Sequence, residues 1–139
     1  MPEVEGLEWR PQYTLFSFWA AWCAPCVDEL PELNELAKDQ NQFRVVLINI
    51  DTEDSDSLQL AQTLLTDLGH PAFEHIYGKG ALLEKFDGQS LPAHYLVNPD
   101  RKVIWRFEGV WPWHLESTRN DLLELIAVER KKVQGQVEN

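Results

Sequence analysis

Two cysteines among 139 residues are too few for a disulfide framework, and with two residues between them they close a loop too small to constrain the unfolded chain much. A structural staple is therefore a poor use for Cys23 and Cys26, and a chain of this length buries a core without one. Basic residues are scarce as well. Twelve lysines and arginines stand against twenty-three acidic residues, and the net charge of -11 repels phosphate backbones and anionic lipid. Nucleic acid and a membrane surface are poor partners on that ground, and we read the acidity itself as a solubility feature. No apolar run reaches the roughly 18 residues of a membrane-spanning helix, so no membrane insertion is expected of this chain. The opening Met1-Pro2-Glu3-Val4-Glu5-Gly6-Leu7-Glu8 has neither the basic start nor the apolar stretch of a secretory signal. Repeats, low-complexity tracts and linkers are missing too. One domain over 1–139 is expected, with about 1–13 and 134–139 peripheral.

What is present reads as alternating strands and helices. Thr14-Leu15-Phe16-Ser17-Phe18-Trp19 is a β-branched and aromatic run ending in Ala20-Ala21, the pattern of a buried strand. From Ala24 onward, Val27, Leu30, Leu33, Leu36 and Ala37 recur at three- and four-residue steps between acidic residues at 28, 29, 32 and 35. This predicts an amphipathic helix whose acidic first turns suit the helix dipole. Phe43 to Ile50 is almost continuously apolar, as in a central parallel strand covered on both faces. Leu58, Ala61, Leu64, Leu65 and Leu68 make a second helical stripe, stopped by Gly69 and Pro71. Ala72 to Tyr77 reads as a short strand, and Ala81 to Phe86 as a short helix ended by Gly88. Ala93 to Val97 and Lys102 to Phe107 flank Asn98-Pro99-Asp100-Arg101, a turn signal between two strands of a hairpin. Leu115 to Val133, with Leu122, Leu125 and Ile126 at helical spacing, closes the domain, and the last half-dozen residues are expected to fray. The order is βαβ, a helix-bearing insert, then ββα, which is an α/β domain.

Cys23-Ala24-Pro25-Cys26 falls where a strand hands over to a helix, and that position says more than the spacing. The first cysteine lies at the helix N-terminus, where unpaired backbone N–H groups and the positive end of the dipole favour a thiolate. Lowering a thiol pKa by one unit takes only about 1.4 kcal/mol, and a partly buried helix end supplies up to about 2 kcal/mol. Cys26, inside the first turn, is the more buried and less ionised of the two. Cys23 is accordingly the nucleophile and Cys26 the resolving thiol, while Pro25 suits an early helical position that has no N–H bond to lose. Two other uses of the pair stay open. It could be half of a zinc site, although no second cysteine pair exists and His70, His75, His94 and His114 lack paired ligand spacing. It could also be two inert, buried thiols.

Phe18-Trp19-Ala20-Ala21-Trp22-Cys23-Ala24-Pro25-Cys26 resembles the active-site segment of thioredoxins, with Trp22 just before the first cysteine. Pro31 stands five residues after Cys26, where thioredoxins carry the proline of this helix, and Leu91-Pro92 looks like the family's cis-proline site facing the dithiol. Within the thioredoxin-like superfamily, Cys26-Val27-Asp28-Glu29-Leu30-Pro31 and Leu91-Pro92-Ala93-His94-Tyr95-Leu96-Val97-Asn98-Pro99 are most similar to the TlpA/ResA-like branch, as is the long insert between Asp51 and Ser90. The resemblance implies a thioredoxin-like fold, with a central mixed β-sheet and helices on both faces. It implies a protein-disulfide oxidoreductase, more a disulfide reductase than an oxidant, that needs no cofactor beyond the Cys23–Cys26 couple. Its partners would be protein thiols and disulfides, apocytochrome c or another extracytoplasmic protein among them, with a second thiol-disulfide protein as electron donor. The implied setting is periplasmic or extracytoplasmic in a bacterium, in the service of redox homeostasis; with no signal or anchor in the chain, a cytoplasmic one stays open. A monomer is expected.

The branch also places an acidic residue three after the second cysteine close to the dithiol, and here that is Glu29. One helical turn beyond Cys26, it could exchange a proton with that thiol, or it could be an ordinary solvated carboxylate. Two departures matter. Thioredoxins carry a buried aspartate six residues before the first cysteine, and Ser17 stands there, leaving Glu29 or water as proton partner. Branch members usually have a β-hairpin ahead of the strand, and thirteen residues precede Thr14. Trp22, Leu91, Pro92 and Trp111 are the expected substrate contacts, with Pro25 and Pro31 structural. Trp111 and Trp113 either line a substrate groove or pack under the last helix, whereas Trp105, within a strand, reads as core. His94, two after Pro92, could help deprotonate a thiol, but we read it as an ordinary strand histidine. A thioredoxin-like binding or scaffold module without redox turnover is the alternative function.

Overall fold

The computed structural model describes residues 1–138, with side chains through Gly135. Its elements follow the expected order: β1 (Thr14–Trp19), α1 (Ala24–Asp39), β2 (Arg44–Asn49), α2 (Ser55–Asp67), β3 (Glu74–Tyr77), α3 (Gly80–Lys85), β4 (Ala93–Val97), β5 (Val103–Glu108) and α4 (Glu116–Glu138). The strands form one mixed sheet in the order β3-β2-β1-β4-β5. β1, β2 and β3 run parallel, and β4 and β5 are antiparallel additions on the other side of β1.

Every residue of β1, β2 and β4 is buried, which is why these segments read as unbroken apolar runs, whereas β3 and β5 are partly exposed edges. Side chains alternate between two cores. Leu15, Trp19, Val45, Leu47 and Leu96 pack with Leu30, Leu33 and Leu36 of α1, Ala61 of α2, and Leu122 and Ile126 of α4. On the opposite face Phe16, Phe18, Val46, Ile48, Tyr95 and Val97 meet Leu83, Phe86 and Val4. Residues 1–13 form no regular element, yet Val4 is buried, and Met1, Leu7 and Trp9 pack against this second core.

Three expectations change. The first turn of α1 holds no acidic residue, because the helix begins at Ala24 and Asp28 and Glu29 fall in its second turn. The positive end of the helix is thus not offset by a carboxylate of its own first turn. Gly88 is not the left-handed stop of α3. Asp87 takes that conformation with φ 63°, and its N–H donates to the Glu84 carbonyl while the Gly88 N–H donates to that of Leu83. Gly88 is needed for a different reason, since a Cβ there would lie 2.3 Å from Leu83 Cδ1 and 2.6 Å from the Tyr95 hydroxyl. Finally, α4 runs as helix past Val133 to Glu138, and Asn139 lies outside the described residues.

Candidate active site

β1 ends against β2 and releases a short turn that leads into α1. The turn is held at both sides: Cys23 N–H donates to the Ala20 carbonyl at 3.1 Å, and Ala21 N–H donates to Asp51 Oδ2 at 2.7 Å. Asp51 is buried just past the end of β2. Asn49 Nδ2 also donates to Asp51 Oδ2, at 2.8 Å, and the Asp51 N–H returns a bond to Asn49 Oδ1 at 2.9 Å. Sequence reasoning missed this clamp. Its signal was the pair of polar residues, Asn49 and Asp51, closing an otherwise apolar strand.

Cys23 is the N-cap of α1, with extended backbone, and its Sγ accepts from the Cys26 N–H at 3.4 Å. The sulfur takes the place that a serine or aspartate oxygen holds at other helix starts. Cys23 and Cys26 form a disulfide, with Cα atoms 5.3 Å apart. Cys23 is 7% exposed and Cys26 1%, so the first sulfur is the more accessible. Pro25 occupies the first turn and Pro31 lies inside the helix. Trp22, next to Cys23, is 67% exposed. The Leu91–Pro92 peptide bond is cis. The β1–β4 register pairs Phe18 with Ala93, which puts Pro92 at the end of the sheet from which the cysteine turn departs. The Pro92 carbonyl accepts from Gly109 N–H at 2.7 Å, and Leu91 packs against both cores.

One turn beyond Cys26, Glu29 is buried, which overturns the solvated alternative. Its Oε1 accepts from the Trp111 N–H and its Oε2 from Trp113 Nε1–H, both at 3.1 Å. His94, fully buried, approaches the same Oε2 through Nε2 at 3.1 Å, off the line of a good hydrogen bond. Its Nδ1 lies 2.8 Å from Ser17 Oγ, the residue paired with it across β1 and β4. The Trp113 ring stands nearly perpendicular to the imidazole at 4.9 Å. His94 is therefore no isolated strand histidine, and Ser17 does not leave an empty position where thioredoxins have an aspartate.

The aromatic loop divides. Trp113 is fully buried with its indole N–H committed to Glu29, so it cannot line a groove. Trp111 is half-buried and packs on Phe107 at 4.4 Å and Trp105 at 5.4 Å. Trp105 is also only partly buried, because β5 is an edge strand. On the far side of β1, Trp19 Nε1–H donates to His75 Nε2 at 3.1 Å, and burial pushes the His75 pKa down to about 4. Among the described residues no cluster of three or more potential metal ligands exists, and no helix is long and apolar enough to cross a membrane. Clefts of about 700 Å³ beside Tyr77 and Lys85 and about 460 Å³ beside Tyr13 and Glu129 include neither cysteine.

The sheet order, the disulfide at the start of α1 and the cis-proline at the same end of the sheet define a thioredoxin-like domain with a cysteine pair at its helix start. The sequence matches the AhpC/TSA family over residues 3–106, and the chain belongs to that family. Solved structures of the same fold include StoA from Bacillus subtilis, 21% identical over 84% of each chain with a TM-score of 0.67. The pneumococcal exposed lipoprotein thioredoxin Etrx1 from Streptococcus pneumoniae is 19% identical over 81% of this chain and 87% of its own, TM-score 0.61. A secreted Mycobacterium tuberculosis disulfide oxidoreductase, described as homologous to DsbE of E. coli, is 16% identical over 86% of this chain and 83% of its own, TM-score 0.62. No curated protein sequence matches.

Proposed function

We propose that this protein is a thiol-disulfide oxidoreductase acting on protein disulfides through Cys23 and Cys26, in the direction of disulfide reduction. The observation that carries the thiol-disulfide chemistry is the place of Cys23 Sγ at the N-cap of α1, a helix with no acidic residue in its first turn; the direction is taken from the resemblance alone. In the reduced protein the helix end favours the Cys23 thiolate. That thiolate attacks one sulfur of the substrate disulfide, forming a Cys23–substrate bond and expelling the other substrate sulfur as a thiolate. Cys26 then loses its proton and attacks Cys23 Sγ. The Cys23–Cys26 disulfide forms, the second substrate sulfur leaves, and the substrate has gained two electrons and two protons. A donor dithiol, from a second thiol-disulfide protein, restores the starting state by the reverse chemistry.

Trp22, Leu91, Pro92 and Trp111 are the substrate contacts in this reading. The exposure of Trp22, next to Cys23, suits contact with a polypeptide laid across the surface. Two of the similar structures are described as a secreted protein and an exposed lipoprotein, which supports an extracytoplasmic site; a client such as apocytochrome c is taken from the resemblance alone. Replacing Cys26 by Ser tests the mechanism. Incubated with an oxidised model protein such as insulin, the folded variant is expected to accumulate a mixed disulfide at Cys23, seen by mass spectrometry and lost on adding dithiothreitol. A folded variant that accumulates none refutes the scheme. An equilibrium potential against glutathione in the range of strong oxidants would reverse its direction.

A further inference from the structure

We propose that the acid/base group serving Cys26 is the coupled pair Glu29–His94 with Ser17 at its end, which makes His94 a positioning residue for the exchange reaction. The inference rests on the oxidoreductase reading above. Three polar side chains from three elements, Ser17 of β1, Glu29 of α1 and His94 of β4, meet at 1%, 2% and 0% exposure inside an apolar core. Apolar residues of similar volume would serve stability as well or better, so the set calls for another use.

The donors around Glu29 show what that use is. Trp111 N–H and Trp113 Nε1–H can only donate, and each takes one carboxylate oxygen. A proton arriving from Cys26 then goes to a remaining lone pair of Glu29 or to the imidazole 3.1 Å away. At the other ring nitrogen Ser17 Oγ, at 2.8 Å, can donate to a bare Nδ1 or accept from a protonated one. Nε2 makes no aligned hydrogen bond yet lies 3.1 Å from Glu29 Oε2, so a proton brought to the trio would give that buried nitrogen the partner it lacks, while Ser17 serves Nδ1 in either state.

Hydrolase chemistry is a poor alternative. In a serine hydrolase triad the hydroxyl meets Nε2 and the carboxylate Nδ1; here the order is reversed, and Ser17 is sealed from substrate. The charged and titratable groups around the pair are few. α1 presents Cys26 one turn before and, at the surface one turn after, Glu32 paired with His114 at 3.1 Å. β1 presents only Ser17, and β5 pairs Phe107 with His94. The following loop contributes Trp111 and Trp113. From α4, Arg119 Nε donates to the Trp113 carbonyl at 3.0 Å and its Nη1 pairs with Asp39 at 2.6 Å.

In the resolving step the Cys26 S–H bond breaks and its proton passes to the pair. The sulfur's electrons make the Cys23–Cys26 bond, the Cys23–substrate bond breaks onto the substrate sulfur, and the pair returns the proton to that leaving thiolate. Stopped-flow measurement of this step, with glutathione disulfide as oxidant and pH varied from about 5 to about 9, tests the assignment in wild type, Glu29→Gln, His94→Gln and Ser17→Ala. The expected result is that His94→Gln moves the pH profile of resolution by about one unit, a tenfold change on its sloping limb, while attack by Cys23 stays within about twofold. The double variant Glu29→Gln/His94→Gln should resolve no more slowly than Glu29→Gln alone, because the two act as one unit. Superimposable profiles for wild type and His94→Gln overturn the proposal. If His94→Gln does not fold, Ser17→Ala decides: a displaced profile supports the pair and an unchanged one refutes it. A wild-type protein that forms no mixed disulfide at Cys23 defeats the oxidoreductase reading instead.

Discussion

Acidification should destabilise this protein through His75, and the effect can be isolated with one substitution. In the native state His75 Nε2 accepts the Trp19 indole hydrogen at 3.1 Å, and burial lowers the ring's pKa from 6.5 to about 4. A protonated ring would lose the free lone pair that receives this bond. Between about pH 6.5 and about pH 4 the unfolded chain takes up a proton that the folded chain refuses, so stability falls as pH drops through that window. Above it both states are neutral and the group contributes no pH dependence; below it both are charged and the loss is complete. At about 1.4 kcal/mol per unit, the shift caps the loss at about 3 kcal/mol, and the partial exposure of the ring reduces it toward about 2 kcal/mol. Carboxylates also titrate in acid, so the measurement is a difference. His75→Gln keeps an acceptor for Trp19 and removes the titration. Urea unfolding followed by far-ultraviolet circular dichroism at about pH 7.5 and about pH 4.5 should show wild type losing about 2 kcal/mol more than His75→Gln. Parallel losses in the two proteins would refute the reasoning.

Two further outcomes follow from packing and exposure. Gly88→Ala should lower the denaturant midpoint by the equivalent of about 1–3 kcal/mol, because the added Cβ meets Leu83 and the Tyr95 hydroxyl below van der Waals contact; an unchanged midpoint would show that α3 shifts freely. Trp22→Ala should leave stability within about 0.5 kcal/mol, since the side chain is 67% exposed, yet slow turnover of a protein disulfide more than of glutathione disulfide; equal slowing of both would remove Trp22 from the substrate contacts.

How far the site could be read in advance depended on the range of the interactions that make it. Cys23 and Cys26 were legible because their setting is local: an apolar run, a turn and an amphipathic stripe follow one another within a few residues. Pro92 was found through the resemblance, and its neighbours through the hairpin signal at Asn98-Pro99. The helix start at Ala24 was read correctly, but the dipole argument failed because Asp28 and Glu29 lie a full turn inside it, beyond the end where the dipole acts. Trp113 and Trp111, two residues apart in one loop, could not be told apart by composition; one is sealed over Glu29 and the other lies against the edge strand β5.

The sequence by itself determined the order of elements, the α/β fold class and the cysteine pair at a helix start, since periodicity, turn chemistry and helix capping act between near neighbours. Tertiary structure alone decided that Glu29 is buried, that His94 and Ser17 extend it, and that Asp51 clamps the cysteine turn. Ser17 and His94 are 77 residues apart, Glu29 and Trp111 82, and Ala21 and Asp51 30. Desolvation and hydrogen bonding act on whatever side chains the sheet register and the docking of α1 bring into contact, and those neighbours exist only once the chain has folded.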